Sequence, residues 1–157
     1  MRVFSNTTPF IALCSAGALD IFPQLFHEVC VAQAVVDECA QGGAIMVPDL
    51  SALPWIKVIP DIADVHHALL LELDHGEKQT LLLACQYEAD VVIIDERIGR
   101  RAAEFMGLKV AGTLGLLLKA KQKGLIRSFK GTVERMQQQG IRYHQSLVDK
   151  LAAHVGE

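Results

Sequence analysis

The run Val91-Val92-Ile93-Ile94 is the most apolar stretch of the chain, and it ends in Asp95-Glu96. Four consecutive branched residues without polar alternation suit a strand covered on both faces, as in a parallel sheet. Further short β-rich runs occur at residues 2–5, 29–31, 55–59 and 109–111, separated mainly by helical patterns. Strand alternating with helix predicts an α/β fold of three layers around a central, mostly parallel five-stranded sheet. Its 157 residues, 51% of them hydrophobic, can fill one core. One domain over residues 1–157 is expected, with its core at about 2–140 and a closing amphipathic helix at 145–154.

The helical patterns carry start and stop signals. Thr8-Pro9 supplies an N-cap and a proline for the first helical position, and Gly17 ends that helix. Residues 96–106 end at Gly107, and Thr113 opens a helix ending near Gly124. Residues 62–73 and 76–88 read as two longer helices separated by Asp74-His75, with Ile62, Val65, Leu69 and Leu73 on one apolar face. A short helix is expected over residues 33–40, and the proline-punctuated stretch 42–60 reads as a loop holding one short strand.

Several function classes lack their motifs. The apolar runs fall far short of the roughly 18 residues that a membrane span needs, and the opening residues lack the apolar region of a signal peptide. A cytoplasmic protein with no membrane association is therefore expected. Cys14, Cys30, Cys39 and Cys85 form no Cys-x-x-Cys pair and read as reduced core thiols. The six histidines, His27, His66, His67, His75, His144 and His154, include no zinc pattern. Neither a Gly-rich phosphate loop nor a Gly-x-Ser-x-Gly elbow is present.

The formal net charge of −3 hides a division: the first 96 residues carry 14 acidic against 3 basic groups, while residues 97–135 carry 10 basic against 2 acidic. Such a local excess can make a basic surface on an acidic protein, or simply solvate helix faces. Arg97, Arg100 and Arg101 follow Asp95 on one helix, with Arg97 and Arg101 sharing a face at i,i+4 spacing. That arrangement suits the phosphates of a nucleic acid. The later Lys119, Lys121, Lys123, Arg127 and Lys130 read as a solvated face.

Polar groups that follow strands gain meaning from the fold class, because ligands bind outside the carboxyl ends of parallel strands where the strand order reverses. Asn6 follows the first strand and Asp95 follows the most apolar one. Glu38 lies on the helix at 33–40, and Glu77 lies in the first turn of the helix at 76–88. Each has a plainer role open to it: Asp95 or Glu96 can cap the next helix, Glu38 can face solvent, and Glu77 can favour a helix N-terminus. Spacing alone does not bring the four together.

The segments Ser5-Asn6-Thr7-Thr8-Pro9-Phe10-Ile11-Ala12-Leu13, Val35-Val36-Asp37-Glu38, Gly76-Glu77, Ile94-Asp95-Glu96 and Gly107-Leu108-Lys109-Val110-Ala111-Gly112-Thr113-Leu114-Gly115 occur in this order. Together they resemble a prokaryotic, toxin-like branch of the PIN-domain family over about residues 2–140. The resemblance implies a Rossmann-like sheet and a metal-dependent ribonuclease that hydrolyses RNA phosphodiester bonds, often the toxin of a toxin–antitoxin pair. RNA, an antitoxin protein and a second copy of the chain are the partners it implies.

Carried onto this sequence, the family's acidic site falls on Asn6, Glu38, Glu77 and Asp95 as catalytic and metal-holding residues, with Glu96 as an accessory ligand. Thr7 and Thr8 would orient water or phosphate, or cap the helix at Pro9, and Arg97, Arg100 and Arg101 would hold the nucleic acid. Mg²⁺ or Mn²⁺ suits such oxygen donors. Two carboxylates ~4 Å apart repel by about 4 kcal/mol at an effective dielectric near 20, so clustered acids call for a cation or raised pKa values. Asn6 stands where the family usually has Asp, and its amide oxygen brings no charge. Two other classes compete: a catalytically weakened RNA- or protein-binding module, and a receiver-like phosphoacceptor domain, which lacks the paired acids expected near its first strand.

Overall fold

A computed structural model describes residues 1–63 and 68–157. Its five strands are β1 (Val3–Ser5), β2 (Val29–Ala32), β3 (Ile56–Ile59), β4 (Val91–Ile93) and β5 (Val110–Ala111). They form one sheet in the order β3-β2-β1-β4-β5, and every pairing is parallel. The sheet is thus wholly rather than mostly parallel. All residues of β1 and β2 are buried, as a sheet covered on both faces requires, Ser5 included.

The described residues form eight α-helices: α1 (Thr7–Ser15), α2 (Ile21–Phe26), α3 (Gln33–Gln41), α4 (His75–Gln86), α5 (Arg97–Phe105), α6 (Thr113–Gln122), α7 (Phe129–Gln138) and α8 (Gln145–His154). The chain steps from β1 outward to β3, returns to β4 beside β1, and continues outward to β5. Right-handed crossovers running in opposite directions place their helices on opposite faces, so the sheet lies between helical layers. The crevice between β1 and β4, where the order reverses, opens at their carboxyl ends.

Helix bounds follow local chemistry. Asp74 caps α4 by accepting from the Glu77 amide at 2.8 Å, and Gly107 turns the chain after α5 with φ of +81°, where other residues are strained. Three other helices receive a carboxylate from a distant segment. Asp61 accepts from the Ala34 amide of α3 at 3.0 Å, Asp95 from the Thr113 amide of α6 at 2.7 Å, and Glu157 from the Phe129 amide of α7 at 2.7 Å. Each satisfies a donor that has no partner within its own helix.

The expected helix over residues 62–73 differs. Its described part contains a 3-10 turn at Ala68–Leu70 and no α-helix, and Val65, with His66 and His67, lies outside the described residues. Buried Gln79 grips Ile62, donating to its carbonyl at 2.8 Å and accepting from its amide at 2.9 Å. This clamp occupies the Ile62 carbonyl that a helix starting there would use as an acceptor. Helices α2 and α7 lie where no helix was expected. The four thiols are free, and burial raises the pKa of each, Cys39 to about 12 with Glu38's charge and then Cys14 adding.

Candidate active site

Asn6 and Asp95 stand beyond the carboxyl ends of the adjacent strands β1 and β4. The Asn6 amide continues the ladder by donating to the Ile93 carbonyl at 3.0 Å, and Ser5 is in register with Ile93. Asn6 occupies the N-cap position of α1, yet its side chain makes no capping bond. Its Oδ1 is buried and has no hydrogen-bond partner among the described residues.

Glu38 is brought to the same end of the sheet by α3. Its Oε2 accepts from the Thr7 hydroxyl at 2.5 Å and its Oε1 from the Gly76 amide at 3.0 Å, tying α1, α3 and α4 together at one carboxylate. A Cβ at Gly76 would sit 2.5 Å from both Glu38 oxygens. The bare Gly76 therefore makes room for the carboxylate.

Glu77, the next residue on α4, is only 3% exposed, and its Oε2 is a second buried oxygen without a partner among the described residues. Burial pushes its carboxyl up to about 8; the Asp74 side chain and the charge of Glu96 add to the rise, and a hydrogen bond from the Asp74 backbone opposes it. Its Oε2 lies 3.1 Å from the place a Cβ would take at Gly99, where Ile94 also packs. Glu77 thus reaches α5 and the end of β4.

Asp95 is held differently from the expectation that it caps the helix directly after it. Its Oδ1 accepts from the Thr113 amide and its Oδ2 from the Thr113 hydroxyl, each at 2.7 Å, so it caps α6 and leaves α5 uncapped. Glu96 is exposed at the N-cap of α5 and makes no side-chain capping bond there.

The remaining candidates separate. Thr7 serves Glu38, whereas Thr8 is half-buried on the same turn. Arg100 donates to the Ile94 carbonyl at 3.1 Å and lines a cleft of about 570 Å³ with Asp95, Gly112 and Tyr143. Arg101 lines a different cleft beside Ile98 and Phe105, and Arg97 is exposed. Tyr143 was missed by sequence reasoning because it lies 48 positions beyond Asp95; burial and the charge of Asp95 push its hydroxyl pKa up, against a hydrogen bond with Thr113. His75 is mostly exposed and faces Asp61 at 3.3 Å.

The donor set can be tested against a hard divalent cation. No three His, Cys, Asp or Glu residues among those described form a ready metal-holding group. However, Asn6 Oδ1 and Glu77 Oε2 are buried hard donors without partners, the condition that an oxygen-seeking cation relieves. Glu38 and Asp95 each accept two hydrogen bonds, and a carboxylate with about four acceptor sites retains capacity beyond two. The oxygen chemistry of the set fits a hard divalent cation.

A family model described as a PIN domain matches residues 2–157. Among solved structures, the chain is similar to a PilT N-terminus domain protein from the hyperthermophilic archaeon Sulfolobus solfataricus P2, with 12% identity, coverage of 92% of this chain and 98% of that one, and a TM-score of 0.56. At that identity the likeness concerns the fold. No curated protein matches the chain.

Proposed function

The chain belongs to the PIN-domain family, whose members are generally nucleases, and from that premise we propose that it is a Mg²⁺- or Mn²⁺-dependent ribonuclease acting on RNA phosphodiester bonds. The observation that carries this reading is the pair of buried, unpartnered oxygens on Asn6 and Glu77 beside the crevice where strand order reverses. Asn6, Glu38, Glu77 and Asp95 would hold the cation, with Glu96 at the margin. A bound cation supplies charge neutralisation at the phosphate and acidifies an attacking water.

The chain's own groups prepare that site. Thr7 and the Gly76 amide fix both oxygens of Glu38, so its orientation is set before substrate arrives. Protonated Glu77 relieves the charge density beside Asp74 and Glu96, and it can release that proton when a cation takes its place. Arg97 and Arg100 would hold phosphates, Arg100 from the cleft it lines with Asp95, and Thr8 would orient water or phosphate from the turn that follows Asn6. The RNA specificity and the toxin role, with an antitoxin protein as partner and the cytoplasm as location, rest on the likeness to toxin-like PIN domains.

Calorimetric Mn²⁺ titration with cleavage of a single-stranded RNA panel tests the reading. The parent protein should bind Mn²⁺ and cleave; Glu77→Gln should lose both, and Asn6→Asp should tighten binding by adding a carboxylate. Absence of Mn²⁺ binding by both the parent and Asn6→Asp overturns it. One observation favours a second reading, a catalytically weakened RNA-binding module: Asn6 is uncharged, and both Asp95 oxygens serve Thr113. RNA binding without cleavage, in the parent and in Asn6→Asp alike, selects that module.

A further inference from the structure

The cleft that Asp95 and Arg100 share is walled by Val110 and Ala111 of the edge strand β5, Leu114 and Leu118 of α6, and Leu147 and Leu151 of α8. Among its described lining, Asp95, Arg100 and Tyr143 are the polar side chains. Gly112 keeps the space between the first two open, since a Cβ there would lie 2.8 Å from Arg100 Nη1 and 3.0 Å from Asp95 Oδ1. Arg100 uses one N–H on the Ile94 carbonyl, and among the described residues it enters no ion pair. Most of its five donors are left for a ligand. Tyr143 hydrogen-bonds with Thr113 through its hydroxyl, so its ring is what remains for the cleft.

We propose that this cleft takes one unpaired nucleobase of an RNA strand, the base beside the scissile phosphate, with Tyr143 as its stacking surface and Arg100 on the adjoining phosphate. The inference rests on the ribonuclease reading, because Asp95 belongs to both the cleft and the proposed cation site. Its volume of about 570 Å³ falls within the roughly 300–1,000 Å³ of small-ligand pockets. Asp95 is the one carboxylate in the described lining and repels an anion, so a neutral, flat group enters while the phosphate stays outside at Arg100. Apolar walls from three elements suit the faces of a base, and stacking on an aromatic ring tolerates any base. A base within a duplex reaches such a cleft only by leaving its stack. The cleft therefore selects single-stranded RNA.

Fluorescence anisotropy with labelled oligouridine, oligoadenosine and a blunt RNA duplex, in EDTA, reads base entry apart from cleavage. Tyr143→Leu should raise the Kd for both single strands at least about fivefold, and Tyr143→Phe, which keeps the ring, should restore the parent's affinity. Gly115→Leu fills the cleft from α6, at a position where an added Cβ meets nothing within 4 Å, and should match the loss. Duplex affinity and calorimetric Mn²⁺ titration should stay at the parent's values in Gly115→Leu. Parent-like single-strand affinity in both leucine variants overturns the subsite and leaves the cleft to an apolar side chain of a protein partner. So does an equal fall for the duplex, or a parent protein that binds neither single strand. A parent that shows the expected single-strand losses but neither binds Mn²⁺ nor cleaves keeps the subsite and rejects the ribonuclease reading.

Discussion

Thr7 and Glu38, 31 positions apart, meet at 2.5 Å between hydroxyl and carboxylate oxygen, and the Gly76 amide takes the other oxygen. Glu38 is thereby oriented by two helices other than its own. Gly76→Ala tests this arrangement. Alanine favours a helix interior by about 0.8–1 kcal/mol over glycine, but its Cβ would fall 2.5 Å from both Glu38 oxygens. Mn²⁺ affinity in calorimetry should drop at least about tenfold, equivalent to about 1.4 kcal/mol. Unchanged affinity would show that the orientation of Glu38 is irrelevant to binding.

Asp95→Asn should cost stability as well as charge. The carboxylate satisfies both the amide and the hydroxyl of fully buried Thr113. Loss of such a cap costs about 0.5–2 kcal/mol, and Asp95→Ala, which leaves both donors bare, about 1–3 kcal/mol. Urea midpoints report the difference; a midpoint equal to the parent's in the alanine variant would refute the capping role.

The raised pKa of Glu77 predicts a pH dependence of the metal-free fold. The unfolded carboxyl ionises near 4.5 and the folded one near 8. Below 4.5 it is protonated in both states and its burial carries no ionic penalty. Between these values the unfolded chain loses its proton first, so stability falls as pH rises, and it levels off above about 8. Glu77→Gln should flatten the curve and exceed the parent's stability above the window by about 1 kcal/mol or more. A parent curve that rises across this window and is unaltered by the substitution would contradict the assignment.

Glu157 has the opposite sign. Burial would raise its pKa, but the Phe129 and Lys130 amides, the Ser128 hydroxyl and the Lys121 ammonium bring it below the usual carboxylate range. Its stabilisation is present above the unfolded value and disappears as pH falls through the lowered folded one. Glu157→Gln should therefore destabilise at neutral pH and converge with the parent in acid. Thermal unfolding at the two pH values separates these outcomes.

Arg100 lines the cleft with Asp95 and Arg101 lines the other one, and the proposed RNA path would use Arg97 and Arg100. Replacing both with Ala should reduce the slope of log affinity against log salt on single-stranded RNA by about 1.4, at about 0.7 per contact. Fluorescence anisotropy across a salt series reads it. A parent-like slope in the folded double variant would move the RNA path elsewhere.

The sheet was legible because β1 and β4 are short, apolar and followed at once by polar residues. The closing helix was legible at its observed bounds, Gln145–His154, from its apolar spacing. Helix α2 carries Pro23 within six residues, and α7 carries Gly131 and Thr132, which mask helical propensity. At the site, the identities of Asn6, Glu38, Glu77 and Asp95 could be read, but not their partners. The Thr7 hydroxyl could cap its own helix or reach another, and only the packing of α1 against α3 decides. Asp95 likewise caps a helix that begins 18 positions later, beyond any local pattern.

The borrowed caps of α3, α6 and α7 also bear on the order in which the molecule assembles. Ala34, Thr113 and Phe129 wait on carboxylates lying 27 positions after, 18 before and 28 after them. As the chain leaves the ribosome, α3 and α7 are each complete in sequence well before the residue that closes their first turn has been made. Their first turns should therefore remain frayed until the later segment docks. In the finished protein, exchange of the Ala34 and Phe129 amides with deuterium should follow release of those distant segments rather than local fraying, which ties the ends of these helices to larger cooperative openings.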